Sequence, residues 1–135
     1  MAVWRFFDYA ELTKRNKIRE WLDALPDRDR ARIDSRLLMM AALLSWSEKW
    51  VSKYRCSGDL YEFRITGNGV QYRPLGTYYG TKQYIILVGA IEKNDKIPKS
   101  DVAVALARLR NLERNSSHAV PHEFDSSDAM EKDEE

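Results

Sequence analysis

A chain of 135 residues with a formal net charge of +1 is long enough for one domain with a buried core and too short for two ordinary ones. No apolar run approaches the roughly 18 residues of a membrane span, and the N-terminal segment lacks the parts of a secretory signal, so we expect a cytoplasmic protein and no membrane association. Because Cys56 is the single cysteine, an intrachain disulfide and a cysteine-based metal cluster are excluded.

Charge is distributed unevenly along the chain. Residues 116–135 contain seven acidic residues and one lysine, a net charge of −6, whereas residues 1–115 have a net charge of +7. A basic body suits a polyanionic partner, although charge does not separate RNA from DNA or from an acidic protein. Since Ser, Asp and Glu dominate the acidic segment, we expect a domain over 1–115 and a disordered tail over 116–135. His118 and His122 then form a chance pair in this tail, not a metal site.

The N-terminal third of the sequence predicts a strand followed by a helix hairpin. Aromatic and β-branched residues over 3–7 predict a short strand that ends at Asp8. Two core-facing apolar stripes with i, i+3, i+4 spacing follow, separated by Pro26, and Asp27 is the expected cap of the second helix. The stripes consist of Ile18, Trp21, Leu22 and Leu25 in the first helix and Ile33, Leu37, Met40, Ala41 and Leu44 in the second.

The middle of the sequence predicts a β-hairpin. Apolar and polar residues alternate over 60–65, and the alternation resumes over 70–73. Between these runs, residues 66–69 supply a turn rich in glycine and asparagine, which accept a positive φ. This pairing allows Arg64 and Arg73 to share one face of the hairpin.

A central strand and a last helix are predicted after the hairpin. Pro74 has no amide proton, so the sheet must be interrupted, bulged or unpaired on one side there. The nearly continuous apolar run over 84–91 predicts a strand that is covered on both faces. A final helix should begin near Pro98 and end near Asn115. Its expected buried side consists of Val102, Leu106, Leu109 and Leu112.

Over residues 3–112, this order of elements resembles the RelE/ParE toxin superfamily in its HigB-like, phage-related branch. The most specific strings are LYEFR at 60–64, GVQYR at 69–73, and EKNDKIP at 92–98 after the apolar strand. The resemblance implies an α+β, RelE-like fold, in which a helix hairpin packs on a small, curved, antiparallel-rich sheet with a C-terminal helix.

The same resemblance implies the toxin of a type II toxin–antitoxin system. Such a toxin is a ribosome-dependent endoribonuclease that cleaves mRNA through attack of a 2′-hydroxyl group on its own phosphate, without a metal or cofactor. Its implied partners are mRNA on the ribosome and a cognate antitoxin, expected to be a helix-turn-helix protein. Two alternatives are a non-enzymatic, ParE-like inhibitor of DNA gyrase and an RNA-binding relative without activity.

Basic residues form most of the site that the resemblance implies. Arg64 and Arg73 are the expected catalytic clamps, because guanidinium groups bind phosphate oxygens through paired hydrogen bonds and keep their charge. The implied RNA-binding residues are Lys53, Arg55, Lys93 and Lys96.

The general base is left open by the sequence. No histidine precedes His118, and the candidates are Tyr78, Tyr79, Tyr84 and Glu92. A tyrosine has an ordinary pKa near 10 and would need nearby cations to lower it. Tyr84 and Glu92 complete the expected catalytic set with the two arginines.

Overall fold

The computed structural model describes residues 2–54 and 59–124. It has an α+β architecture, as predicted. In chain order, the elements are β1 (Arg5–Tyr9), α1 (Lys17–Asp23), α2 (Asp27–Ala41), β2 (Val51–Lys53), β3 (Tyr61–Phe63), β4 (Ile65–Gly67), β5 (Val70–Tyr72), β6 (Leu75–Gly80), β7 (Gln83–Val88), α3 (Lys99–Arg114), a 3₁₀ turn (Ser116–His118) and β8 (Ala119–Pro121). Within these residues, none of the helices combines the length and apolar character of a membrane span.

A mixed sheet of six strands is the centre of the fold. Its order is β2-β3-β6-β7-β1-β8, in which β1 and β7 run parallel and the other neighbours are antiparallel. Strands β4 and β5 form a separate two-stranded ribbon. The apolar run predicted as a central strand is β7, with β6 on one side and β1 on the other.

Two hydrophobic clusters cover the two faces of the sheet. Tyr84 and Ile86 of β7 belong to the cluster under α1 and α2, whereas Ile85 and Leu87 belong to the cluster under α3. Successive side chains of a strand point to opposite faces, so β7 is buried on both sides. The predicted inner face of α3 is confirmed, since its apolar residues pack into the second cluster, with Ala105 completely buried among them.

The helix hairpin confirms the predicted spacing but ends earlier than expected. The Asn16 side chain caps α1 by accepting hydrogen bonds from the amides of Ile18 and Arg19. Pro26, not Asp27, is the N-cap of α2, and the helix ends at Ala41. Leu44, which was predicted to continue the buried stripe, is therefore 73% exposed.

Strand boundaries differ from the predictions at two places. The first strand begins at Arg5 and continues to Tyr9, so Asp8 lies inside it and is completely buried. The predicted strand over 60–65 is two strands, because Arg64 interrupts it and its amide donates to the carbonyl of Trp50. The predicted interruption at Pro74 is confirmed: this residue joins the ribbon to β6, which has a register shift at Leu75.

The segment that follows α3 corrects the predicted boundary of the tail. Residues 116–118 form a 3₁₀ turn, and β8 pairs with β1 as an edge strand. His122 is 7% exposed, and its amide donates to the carbonyl of Phe6. Residues 116–124 are therefore part of the fold, whereas the rest of the predicted tail lies outside the described residues.

Candidate functional site

A cleft of about 630 Å³ lies on the α3 side of the sheet, beside its edge strand β2. Residues on β2 and β3 form one wall, and the loop between β7 and α3 forms the other. The cleft is lined by Glu48, Ser52, Lys53, Tyr54, Glu62, Arg64, Glu92, Asp95, Lys96, Ile97 and Lys99. It therefore combines four basic side chains with four carboxylates, which is a set that can both bind a phosphate and move a proton.

Arg64 is held at the cleft by its own backbone. Its amide donates to Trp50, and its carbonyl accepts a hydrogen bond of 3.0 Å from the guanidinium group of Arg36 on α2. The side chain remains 47% exposed. Because the backbone is fixed and much of the guanidinium group faces solvent, Arg64 can bind an incoming phosphate without refolding the site.

Glu62 positions the Arg64 side chain. Its Oε1 atom accepts a hydrogen bond from Arg64 at 3.1 Å and another from the Ser52 hydroxyl at 3.2 Å. Ser52 and Glu62 are cross-strand partners in the register of β2 and β3, so the pairing of the two strands brings the hydroxyl and carboxylate groups together. Glu62 was not predicted as a site residue, although its alternation with Tyr61 and Phe63 places it on the same face as Leu60.

Arg73, which was predicted to act beside Arg64, does not line the cleft. The register places Ile65 opposite Tyr72, so the two arginines flank the same end of the ribbon, the end away from its turn. However, Arg73 is 12% exposed and donates to the Tyr72 carbonyl at 2.9 Å and to the Gln71 side chain at 3.1 Å. Its Nε atom is 3.8 Å from Glu92 Oε1. Arg73 therefore reaches the cleft through Glu92, which lines it.

Tyr84 is not brought to the cleft. It is completely buried on the opposite face of the sheet, where its hydroxyl donates to the Tyr61 carbonyl at 3.3 Å. Burial raises the pKa of Tyr84 well above its ordinary value, which opposes a role as proton acceptor. Burial also raises the pKa of Tyr78, and Tyr79 packs against Phe7 in the α3-side cluster. Of the four candidate bases, Glu92 is the one that lines the cleft.

The predicted RNA-binding lysines divide into two groups. Lys53 on β2 and Lys96 in the β7–α3 loop line the cleft together. Lys93 does not line it, although it is exposed and forms a tight turn with Lys96 through paired backbone hydrogen bonds of 2.8 and 3.0 Å. Arg55 lies outside the described residues.

A second polar cluster, which was not predicted from the sequence, joins β1, α2 and the C-terminal segment. His122 Nδ1 donates to Asp8 at 2.8 Å and Nε2 donates to Asp34 at 3.1 Å. Burial lowers the pKa of His122, but the hydrogen bonds with Asp34 and Asp8 outweigh this effect and raise the pKa to about 9. The predicted placement of His118 and His122 in a disordered tail is therefore wrong, since both side chains have hydrogen-bond partners in the fold. Across residues 2–54 and 59–124, no group of three or more His, Cys, Asp and Glu residues could hold a metal ion.

Together, the fold and the cleft define a small α+β protein with a mixed cationic and acidic site at one edge of its sheet. The sequence profile of the phage-derived protein Gp49-like family (DUF891) matches residues 20–110, a span that contains the whole cleft. The chain belongs to this family, which is associated with the toxins of toxin–antitoxin systems. No curated protein matches the sequence.

Proposed function

We propose that this protein is the toxin of a type II toxin–antitoxin system and cleaves mRNA on the ribosome without a metal ion. The proposal extends the family assignment to a RelE-like fold of the HigB-like branch and to a cytoplasmic site of action. The observation that carries it is the cleft, which Lys53, Arg64 and Lys96 line together with Glu62 and Glu92. Cations that bind phosphate and carboxylates that accept protons are the groups that this reaction requires.

In the proposed reaction, the 2′-oxygen of a ribose attacks the adjacent phosphorus atom and the bond to the 5′-oxygen of the next nucleotide breaks. The products are a cyclic 2′,3′-phosphate and a 5′-hydroxyl group. Arg64 stabilises the extra negative charge on the phosphate oxygens as the 2′-oxygen attacks. Lys53 and Lys96 hold the RNA backbone, and Lys93 and Arg55 remain proposed RNA-binding residues.

Glu92 is the proposed acceptor of the 2′ proton. Among the four candidates, Glu92 is the one that lines the cleft, and its carboxylate forms an ion pair with the neighbouring Arg73. Glu62 is engaged by Arg64 and Ser52 through one oxygen and acts in the proposal by orienting Arg64. Water protonates the leaving 5′-oxygen, since the cleft is open to solvent.

An in vitro translation reaction with primer extension on the mRNA tests the proposed function. We expect codon-positioned breaks with the wild-type chain and their loss with Glu92→Gln, whereas Lys14→Gln, at an exposed residue away from the cleft, should cut normally. Intact mRNA together with blocked DNA supercoiling would instead identify a gyrase inhibitor. Intact mRNA with retained RNA binding would identify an inactive RNA-binding relative.

The proposed protein partner is a cognate antitoxin with a helix-turn-helix domain. Coexpression with a small helix-turn-helix protein encoded beside the toxin tests this point. Rescue of growth together with copurification of a stable complex is the expected result, and continued growth arrest in the presence of the folded neighbour would contradict it.

A further inference from the structure

A row of aromatic side chains crosses the sheet on the face opposite the cleft. The ring centroids of Tyr61 on β3 and Tyr78 on β6 are 4.8 Å apart, and those of Tyr78 and Trp4 are 5.7 Å apart. Trp46 lies behind the row, with its ring centroid 4.3 Å from that of Trp4 and stacked on Tyr78 at 5.9 Å. We call Tyr61, Tyr78 and Trp4 the aromatic row.

The aromatic row remains partly open to solvent. Tyr78, its middle member, is 40% exposed, and Tyr61 and Trp4 are half-buried. The early end of α2 leaves this part of the sheet without a helix over it, since Leu44 beyond the helix is itself exposed. Because the Tyr78 ring is stacked on Trp46 and remains partly exposed, it is suited to stacking with another flat ring.

Cations flank both ends of the row. Lys82 Nζ lies 4.9 Å from the centroid of the Trp4 ring and is held there by a hydrogen bond of 2.9 Å to the Leu44 carbonyl. At the other end, Lys53 of the edge strand is the register partner of Tyr61 and also lines the cleft. The row and the cleft therefore share Lys53 across the edge of the sheet.

We propose that the aromatic row stacks unpaired bases of a single-stranded RNA whose phosphates bind Lys53 and Lys82. Exposed aromatic rings beside cations are the combination that binds single-stranded nucleic acids, because every base has a π face and every linkage a negative charge. The flanking lysines favour this occupant over an apolar helix of another protein. The proposal rests on the proposed function in naming RNA as the ligand, and it places the bases of one segment on the row while another segment enters the cleft.

Two RNA hexamers of equal charge test the proposal without any change in the protein. One is hexaadenylate and the other carries abasic ribose at every position, and both are measured at low salt by fluorescence anisotropy. We expect the abasic hexamer to bind roughly 5- to 150-fold more weakly, the range that one stacked base contributes. Equal affinities for the two hexamers would overturn the proposal, because binding would then depend on phosphate alone.

Tyr78→Ala and Tyr79→Ala form a matched pair of variants. The two tyrosines are neighbours on β6, but Tyr79 points to the α3 side, where it packs against Phe7. Tyr78→Ala should lower the affinity for hexaadenylate toward that of the abasic hexamer and leave abasic binding unchanged, whereas Tyr79→Ala should change neither. Circular dichroism confirms that each variant is folded, and an equal loss in both variants would contradict stacking on the row.

The binding test of the aromatic row can succeed or fail independently of the cleavage test of the proposed function. Base-dependent binding that disappears in Tyr78→Ala, from a protein that leaves mRNA intact during translation, would support the row and reject the ribonuclease. Cleaved mRNA together with equal binding of both hexamers would support the ribonuclease and reject the row.

Discussion

Gly89 and Trp21 are in such close contact that a Cβ atom on Gly89 would lie 1.9 Å from Cδ2 of the indole ring. Gly89 follows directly after β7, and Trp21 is on the inner side of α1. The ring also makes an edge contact with Tyr72 of the ribbon, at a centroid distance of 6.1 Å. The absent side chain at Gly89 thus allows α1 to approach the end of the central strand.

Gly89→Ala should destabilise the protein by about 1–3 kcal/mol, because the added methyl group forces the indole ring out of its position. Thermal unfolding measures the effect. Combining Gly89→Ala with Trp21→Phe gives a direct control: the smaller ring leaves room for the methyl group, so the double variant should lose less stability than the sum of the two single changes. Strict additivity would mean that the contact is not the source of the loss.

Trp21→Ala should cost about 3–5 kcal/mol, since it removes a large ring from the cluster under the helix hairpin and leaves a cavity. The same variant should bind RNA normally at a temperature where it is still folded, because Trp21 is part of neither the cleft nor the aromatic row. An unchanged unfolding midpoint would place Trp21 outside the energetically important core.

His122 should make stability depend on pH in the alkaline range. Its folded pKa of about 9 lies above its ordinary value of 6.5, so the stabilisation is fully present below pH 6.5 and is lost as the pH rises toward 9. The loss should be roughly 3 kcal/mol. Urea unfolding at pH 6, 7.5 and 9 measures it.

His122→Gln is the control for this pH dependence. Glutamine can donate one hydrogen bond to a carboxylate but does not titrate, so the variant should be less stable at pH 6 and should lack the decline between about pH 6.5 and 9. A decline of equal size in the variant would assign it to another group.

Arg64→Ala should lower the rate of mRNA cleavage about a hundredfold, which corresponds to about 3 kcal/mol in the barrier. The fold should be unchanged, because the side chain is half exposed. Arg73→Ala should also abolish growth arrest, since it removes the cation beside Glu92. Primer extension and growth curves measure the two effects, and wild-type cleavage by both variants would reject this assignment of the site.

Removal of residues 125–135 should leave RNA affinity unchanged at low salt. These residues have a net charge of −5, and the competing hypothesis is that they occupy the basic surface and weaken RNA binding. That hypothesis requires tighter binding by the truncated chain, with a difference that shrinks as salt is added. The truncation must follow Phe124, because a chain ending at Asn115 lacks β8 and leaves Asp8 and Asp34 without His122.

Local patterns were sufficient to predict several parts of the fold. Helical spacing identified both helices of the hairpin, and the turn at Asn68 and Gly69 has positive φ at both residues, as the composition of residues 66–69 predicts. Pro74 marked a real interruption because a missing amide proton has the same effect in any sheet. These features depend on residues that are close in sequence.

The errors arose where a partner is distant in sequence. Burial of His122 depends on Asp8 and Asp34, which lie 114 and 88 positions away, so the local composition around His122 resembled that of a tail. The burial of Tyr84 on the face opposite the cleft also depends on strands that are distant in sequence, so the local pattern did not predict it. Arg64 and Glu92, in contrast, could be proposed from the family resemblance.

The parallel pairing of β1 with β7 also affects the order in which the chain can fold. Strand β1 has residues 83–86 and 119–121 as its partners, so one edge stays unpaired until β7 has been synthesised and the other until β8 has been synthesised. Contacts of such long sequence separation slow folding, because the connecting loop must close before they contribute. We therefore expect a growing chain to form the helix hairpin and ribbon first and to close its sheet as a late step.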